Sequence, residues 1–146
     1  MASEILERKR ETTLSKIDDY AKFVDTTTSL ESKKFLAFID STSKLETCDN
    51  INVARALTSA IGMLAESGEY TEILKKMVFQ GKEFNEGERF HMKRELGDIL
   101  WYWVQGCLAL GYTPDEVMDE NITKLEARYP NGFEVARSEH RQAGDI

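Results

Sequence analysis

A chain of 146 residues, 41% hydrophobic and 31% charged, is long enough to bury a core and reads as one soluble globular domain. Its net charge of −7 argues against a nucleic-acid polymer or an anionic membrane as partner, but leaves room for a small anion that arrives with metal ions. Two cysteines, Cys48 and Cys107, make no disulfide framework and read as reduced thiols of a cytoplasmic protein, with Cys107 a small core residue. The N-terminus is charged from Glu4 to Glu11, which no secretory leader would be, and the uncharged stretch 99–114 is too short to span a membrane.

Only Pro114 and Pro130 interrupt the chain, so long helices are expected. The pattern predicts a polar amphipathic helix over 3–24, with Ile5, Leu14, Ile17 and Tyr20 facing inward. A turn over 25–29 ends in the N-cap residue Ser29. A second helix over about 30–44 points Phe35, Leu36 and Ile39 inward, and a connection over 45–50 closes with Asp49-Asn50. The third helix, about 52–79, is apolar around most of its circumference (Leu57, Ile61, Leu64, Ile73, Leu74, Met77), as befits the centre of a bundle. The polar loop QGKEFNEGE leads to a fourth helix over about 89–110 that stops at Gly111. Thr113-Pro114-Asp115-Glu116 has the residue types of a capping box with proline at the first helical position, and opens a fifth helix ending near Arg128. The tail from 133 is polar and expected to be loosely held. No run alternates with period two, so no sheet is expected. The fold class is all-α: a bundle of about five helices, with N-terminal helices in 1–50, the functional helices in 51–128 and a tail in 129–146.

Two acidic motifs stand out. Glu66-Ser-Gly-Glu69 lies on the third helix and Glu95-Leu-Gly-Asp98 on the fourth. Each pair sits at i, i+3, so its carboxylates share a helix face. Asp98 heads the most hydrophobic run of the chain, beginning Ile-Leu-Trp-Tyr-Trp-Val. A bare carboxylate in apolar surroundings is costly, and four together repel; a cation that draws them together resolves both problems. Gly68 and Gly97, which directly precede Glu69 and Asp98, are read as positions where the two helices approach.

At about 100° per residue, Lys76 falls on the stripe of Glu66 and Glu69, while His91, Tyr102 and Gln105 fall on that of Glu95 and Asp98. Asn121, Lys124 and Arg128 line up on the fifth helix. Carboxylates hold hard cations, and those bridge to phosphate oxygens; lysine and arginine neutralise the remaining charge. The oxygen-only ligand set points to Mg²⁺, with Mn²⁺ as a substitute. Glu88-Arg-Phe-His91 has the E-x-x-H spacing that di-iron bundles use twice, but occurs once and straddles the expected loop-to-helix junction. His91 reads as a surface residue near a helix N-terminus; Trp101 and Trp103 read as core or subunit interface.

The E-x-x-E and E-x-x-D at this gap, with the words GMLAESGEYTEILKK, KRELGDILWYW and NITKLEARYPNGF, resemble the MazG-like all-α nucleoside triphosphate pyrophosphohydrolases, most closely the small single-domain type often carried by phages. The resemblance covers about residues 51–146. It implies a helical protein that forms a homodimer or homotetramer and hydrolyses an NTP or dNTP to the monophosphate and pyrophosphate with Mg²⁺, in the cytoplasm of the host if phage-encoded. Glu66, Glu69, Glu95 and Asp98 would be the metal ligands and catalytic residues. Lys76, Lys124 and Arg128 would contact phosphates, and Asn121 and Tyr129 would lie near the nucleotide. A catalytically silent nucleotide-binding module is the alternative the same residues allow.

Overall fold

The computed structural model describes residues 16–48 and 51–140, and the chain divides into two compact units at Leu45/Glu46. Every regular element among the described residues is helical. The expected inner residues Ile5 and Leu14, the side chain of Cys48, and Asp49-Asn50 lie outside what is described.

In the first unit, α1 spans 16–27. Its end is marked by threonines: Thr26 and Thr27 donate to the Phe23 carbonyl at 2.8 and 2.9 Å, and Thr28 to that of Val24 at 2.6 Å. Such local hydroxyl bonds compete with helix propagation. Ser29 caps α2 (Leu30–Lys33), accepting from the Ser32 N–H. The expected continuous helix over 30–44 is interrupted: Lys34 is extended (φ −127°, ψ 116°) and α3 (Phe35–Cys48) starts afresh, running through what was read as a connection. No proline or glycine announces that break. Ile17, Tyr20, Phe35, Leu36 and Ile39, expected to face inward, are all exposed on this chain.

The second unit is built on a helical hairpin of α4 (Val53–Gln80) and α5 (Glu86–Ala109). Asn52 caps α4, and Gly81, in the left-handed region at φ 68°, ends it. Asn85 caps α5 by accepting from the Glu88 N–H, so the helix begins three residues earlier than expected and both Glu88 and His91 are helical. The loop between them is tied by Lys82 Nζ to Glu88 Oε1 at 2.6 Å. At the far end the Asn52 N–H donates to the Ala109 carbonyl at 2.9 Å.

The helices meet where residues are small. A Cβ on Gly62 would overlap the Tyr102 ring, and one on Gly106 would fall 2.7 Å from Ser59 Oγ. Gly68 and Gly97, the expected points of approach, have open space where a side chain would go. The true contact points lie nearer the Asn52–Ala109 end. They set an antiparallel register that brings Glu66 level with Asp98 and Glu69 level with Glu95.

Helix α6 (Pro114–Arg128) starts at the predicted capping box, with Glu116 accepting from the Thr113 N–H at 2.7 Å and the Glu116 N–H donating to Thr113 Oγ1 at 3.2 Å. The tail contributes a short α7 (Val135–Glu139) where loose chain was expected. Val53, Ile73, Cys107 and Ala109 are buried, as expected for Ile73 and Cys107; Leu57, Ile61, Leu64 and Leu74 are exposed. A hairpin covers one stripe of each helix, so a helix that is apolar all round keeps the remainder on its surface.

Candidate metal centre

Glu95 is 5% exposed, one of two buried polar residues among those described. It comes from the third turn of α5 and meets groups from both helices. Ligand atoms of Glu66, Glu95 and Asp98 all lie within 4.8 Å of one another, as do those of Glu69, His91 and Glu95. Glu95 belongs to both groups. Glu66 is half-buried, while Glu69 and Asp98 are exposed. Asp98 was expected to sit in dry surroundings because of the apolar run after it; the helix instead turns it to the open side, and Glu95 is the carboxylate that is buried.

The crowding has an electrostatic signature. Burial raises the Glu66 carboxyl above its ordinary value, and the charge of Glu69, a hydrogen bond shared with Glu95, and the charges of Asp98 and Glu95 push it further the same way. Two ionised carboxylates cannot donate to each other, so the Glu66–Glu95 contact requires a proton or a cation. His91 supplies one donor: its Nε2 lies 2.9 Å from Glu95 Oε1. The donor set is hard oxygen with a single imidazole nitrogen, gathered from two helices at ligand spacing. It could hold a divalent metal ion.

The remaining predicted residues stand elsewhere in this unit. Lys76 is two turns beyond Glu69 and pairs with Glu72 at 3.5 Å, beside a Lys75–Glu72 pair. Asn121 and Lys124 line a cavity of about 450 Å³ between α5 and α6, with Trp103, Val117, Met118 and Glu120. Trp103, read as core or subunit interface, is half-buried and lines this cavity. The Arg128 guanidinium lies over the Tyr129 ring at 5.9 Å, and Tyr129 in turn contacts Phe133. Arg137 pairs with Glu134 at 3.0 Å. His91, placed by the sequence on the stripe of Glu95 and Asp98 and read as a surface residue, is exposed and pairs with Glu95 at i, i+4.

An all-α hairpin whose two helices converge their carboxylates on one buried glutamate has a donor set that could hold a divalent cation. Residues 56–133 match the MazG nucleotide pyrophosphohydrolase domain, and the chain belongs to that family. It is also similar to the Gene 37 protein of Mycobacterium phage L5, at 28% identity over 96 residues, covering 64% of this chain and 82% of the phage protein. No solved structure matches it. Family membership carries nucleotide pyrophosphohydrolase as the class of activity. Among the described residues no helix is long and apolar enough to cross a membrane.

Proposed function

We propose that this protein hydrolyses a nucleoside or deoxynucleoside triphosphate to the monophosphate and pyrophosphate, with Mg²⁺ held by Glu66, Glu69, Glu95 and Asp98 and Mn²⁺ able to replace it. The observation that carries this reading is the convergence of both acidic motifs, level with each other across α4 and α5, on the buried carboxylate of Glu95. A cation there supplies positive charge to the phosphate oxygens and acidifies water for attack on phosphorus.

The chain supplies the rest. Glu95, fixed by burial and by His91, holds its oxygens in place before substrate arrives. Glu69, exposed at the open side, orients the attacking water and accepts its proton. Lys124 and Asn121, on the wall of the α5–α6 cavity, receive the nucleotide. Lys76 and Arg128 neutralise charge as pyrophosphate departs, and Tyr129 stands beside the nucleotide. The exposed apolar residues of α4 and α5, such as Leu64 and Trp101, support assembly into a homodimer or homotetramer. A soluble place in the host cytoplasm suits a chain related to a phage protein.

The test is pyrophosphate release from each standard NTP and dNTP with Mg²⁺. Asp98→Asn should abolish release while leaving the helical circular dichroism unchanged. Full activity in that variant would overturn the assignment. Binding of a non-hydrolysable triphosphate without release from any substrate would leave a silent nucleotide-binding module.

A further inference from the structure

The one nitrogen donor of the cluster is not needed to explain an oxygen-only Mg²⁺ site. His91 sits on α5 with its side chain 54% exposed, where an imidazole is free to point into water. It folds back instead, so that Nε2 reaches Oε1 of a Glu95 side chain only 7% exposed. Glu69, from α4, brings its carboxylate within 4.8 Å of both. Glu95 also belongs to a second group, in which ligand atoms of Glu66, Glu95 and Asp98 lie within 4.8 Å of one another. Glu95 is therefore shared by two different donor sets.

We propose that Glu69, His91 and Glu95 form a second cation position, in which His91 Nε2 is a metal ligand and Glu95 bridges to the oxygen-only position of Glu66, Glu95 and Asp98. The two positions differ in chemistry. Three oxygens suit Mg²⁺. Two oxygens and an imidazole favour a first-row transition dication, because nitrogen ligation gains on Mg²⁺ along the series from Mn²⁺ to Ni²⁺. The 2.9 Å N···O separation is close to that of neighbouring ligands on one ion with bonds of about 2.1–2.2 Å. The same nitrogen stands at ion-pair distance from the oxygen with which it would share the ion.

This inference rests on the reading of the four acids as cation ligands, and its test uses no nucleotide, so the two fail separately. Tag-free full-length protein is loaded with Mn²⁺ alone and examined by pulsed EPR, and its affinities for Co²⁺ and for Mg²⁺ are measured by calorimetry. The expected result is a ¹⁴N coupling to Mn²⁺ that disappears in His91→Gln, with Co²⁺ affinity falling at least tenfold and Mg²⁺ affinity changing less than threefold. Gln keeps a polar N–H that can reach Glu95 but is a poor metal ligand, so the variant separates ligation from polar contact. Mn²⁺ bound without ¹⁴N coupling, or His91→Gln indistinguishable from the parent, would overturn the proposal and leave His91 as an orienting donor. Failure of the parent protein to bind Mn²⁺ at all would overturn it together with the acidic site.

Discussion

Gly62 lies directly beneath the ring of Tyr102, one helical turn from Glu66 on one side of the hairpin and one turn from Asp98 on the other. The spacing of the two helices at the acidic cluster is therefore set by the absence of one methyl group. Gly62→Ala forces the ring or a backbone to move. Overpacking of this kind costs about 1–3 kcal/mol, against about 1 kcal/mol that alanine returns in helix propensity. The expected outcome is no gain in stability by chemical denaturation, and a loss of cation affinity as Glu66 and Asp98 are pushed apart. Gly68→Ala is the control. Its Cβ meets nothing, so the same propensity term acts alone and the chain gains up to about 1 kcal/mol.

Glu95→Gln separates folding from cation binding. In the metal-free protein it removes one of several mutually repelling charges, and denaturation should show the variant at least as stable as the parent. Addition of Mg²⁺ reverses the order. A cation at about a hundred times its dissociation constant stabilises the parent by about 2.7 kcal/mol, and a variant that has lost the central ligand gains little. Thermal melts with and without Mg²⁺ read both effects. A parent whose melting temperature ignores Mg²⁺ at millimolar concentration would remove the basis for the site.

How much of this was legible beforehand follows from range. The capping box at Thr113, the glycine stop at Gly111 and the two E-x-x-E/D motifs are local patterns, and the structure carries each of them at its residues. The break at Lys34 has no local signature and was missed. Burial was misjudged for a different reason. An all-round apolar α4 reads as a bundle centre, but the hairpin covers one stripe, leaving Leu64 76% exposed. Which carboxylate is buried depends on helix rotation across the hairpin; the run after Asp98 pointed to the wrong one, and Glu95 took that place. The contact glycines were likewise misassigned, because Gly62 is distinguished from Gly68 only by what stands opposite it.

The capping box bears on the cavity as well as on stability. The Thr113 backbone N–H and, after it, the Thr113 hydroxyl donate to the Glu116 carboxylate and hold that carboxyl below its ordinary value, while the hydroxyl accepts from the Glu116 N–H. Thr113→Ala should cost about 1 kcal/mol. The helix it loosens carries Asn121 and Lys124, so the KM for nucleotide should rise with kcat less affected. A depressed carboxyl contributes stability above its unfolded value that is lost as pH falls through its folded value. Stability from this cap therefore declines on acidification below about 4.5, and the decline is absent in Glu116→Gln.

Glu66 gives the opposite dependence. Its raised carboxyl means that the folded, metal-free chain binds more protons than the unfolded chain between the ordinary value of 4.5 and the raised one. Stability from this group is present in full below 4.5 and is lost as pH rises through the folded value. Melts in EDTA across that window, taken as the difference between the parent and Glu66→Gln, should show the parent losing ground as pH increases. Mg²⁺ inverts the sign, because a cation needs the carboxylate form and competes with the proton. Acidification through the same window should weaken Mg²⁺ binding in the parent. A parent-minus-variant difference that is flat in EDTA would mean that Glu66 does not share its environment with Glu69, Glu95 and Asp98, and the convergence on which cation binding depends would have to be given up.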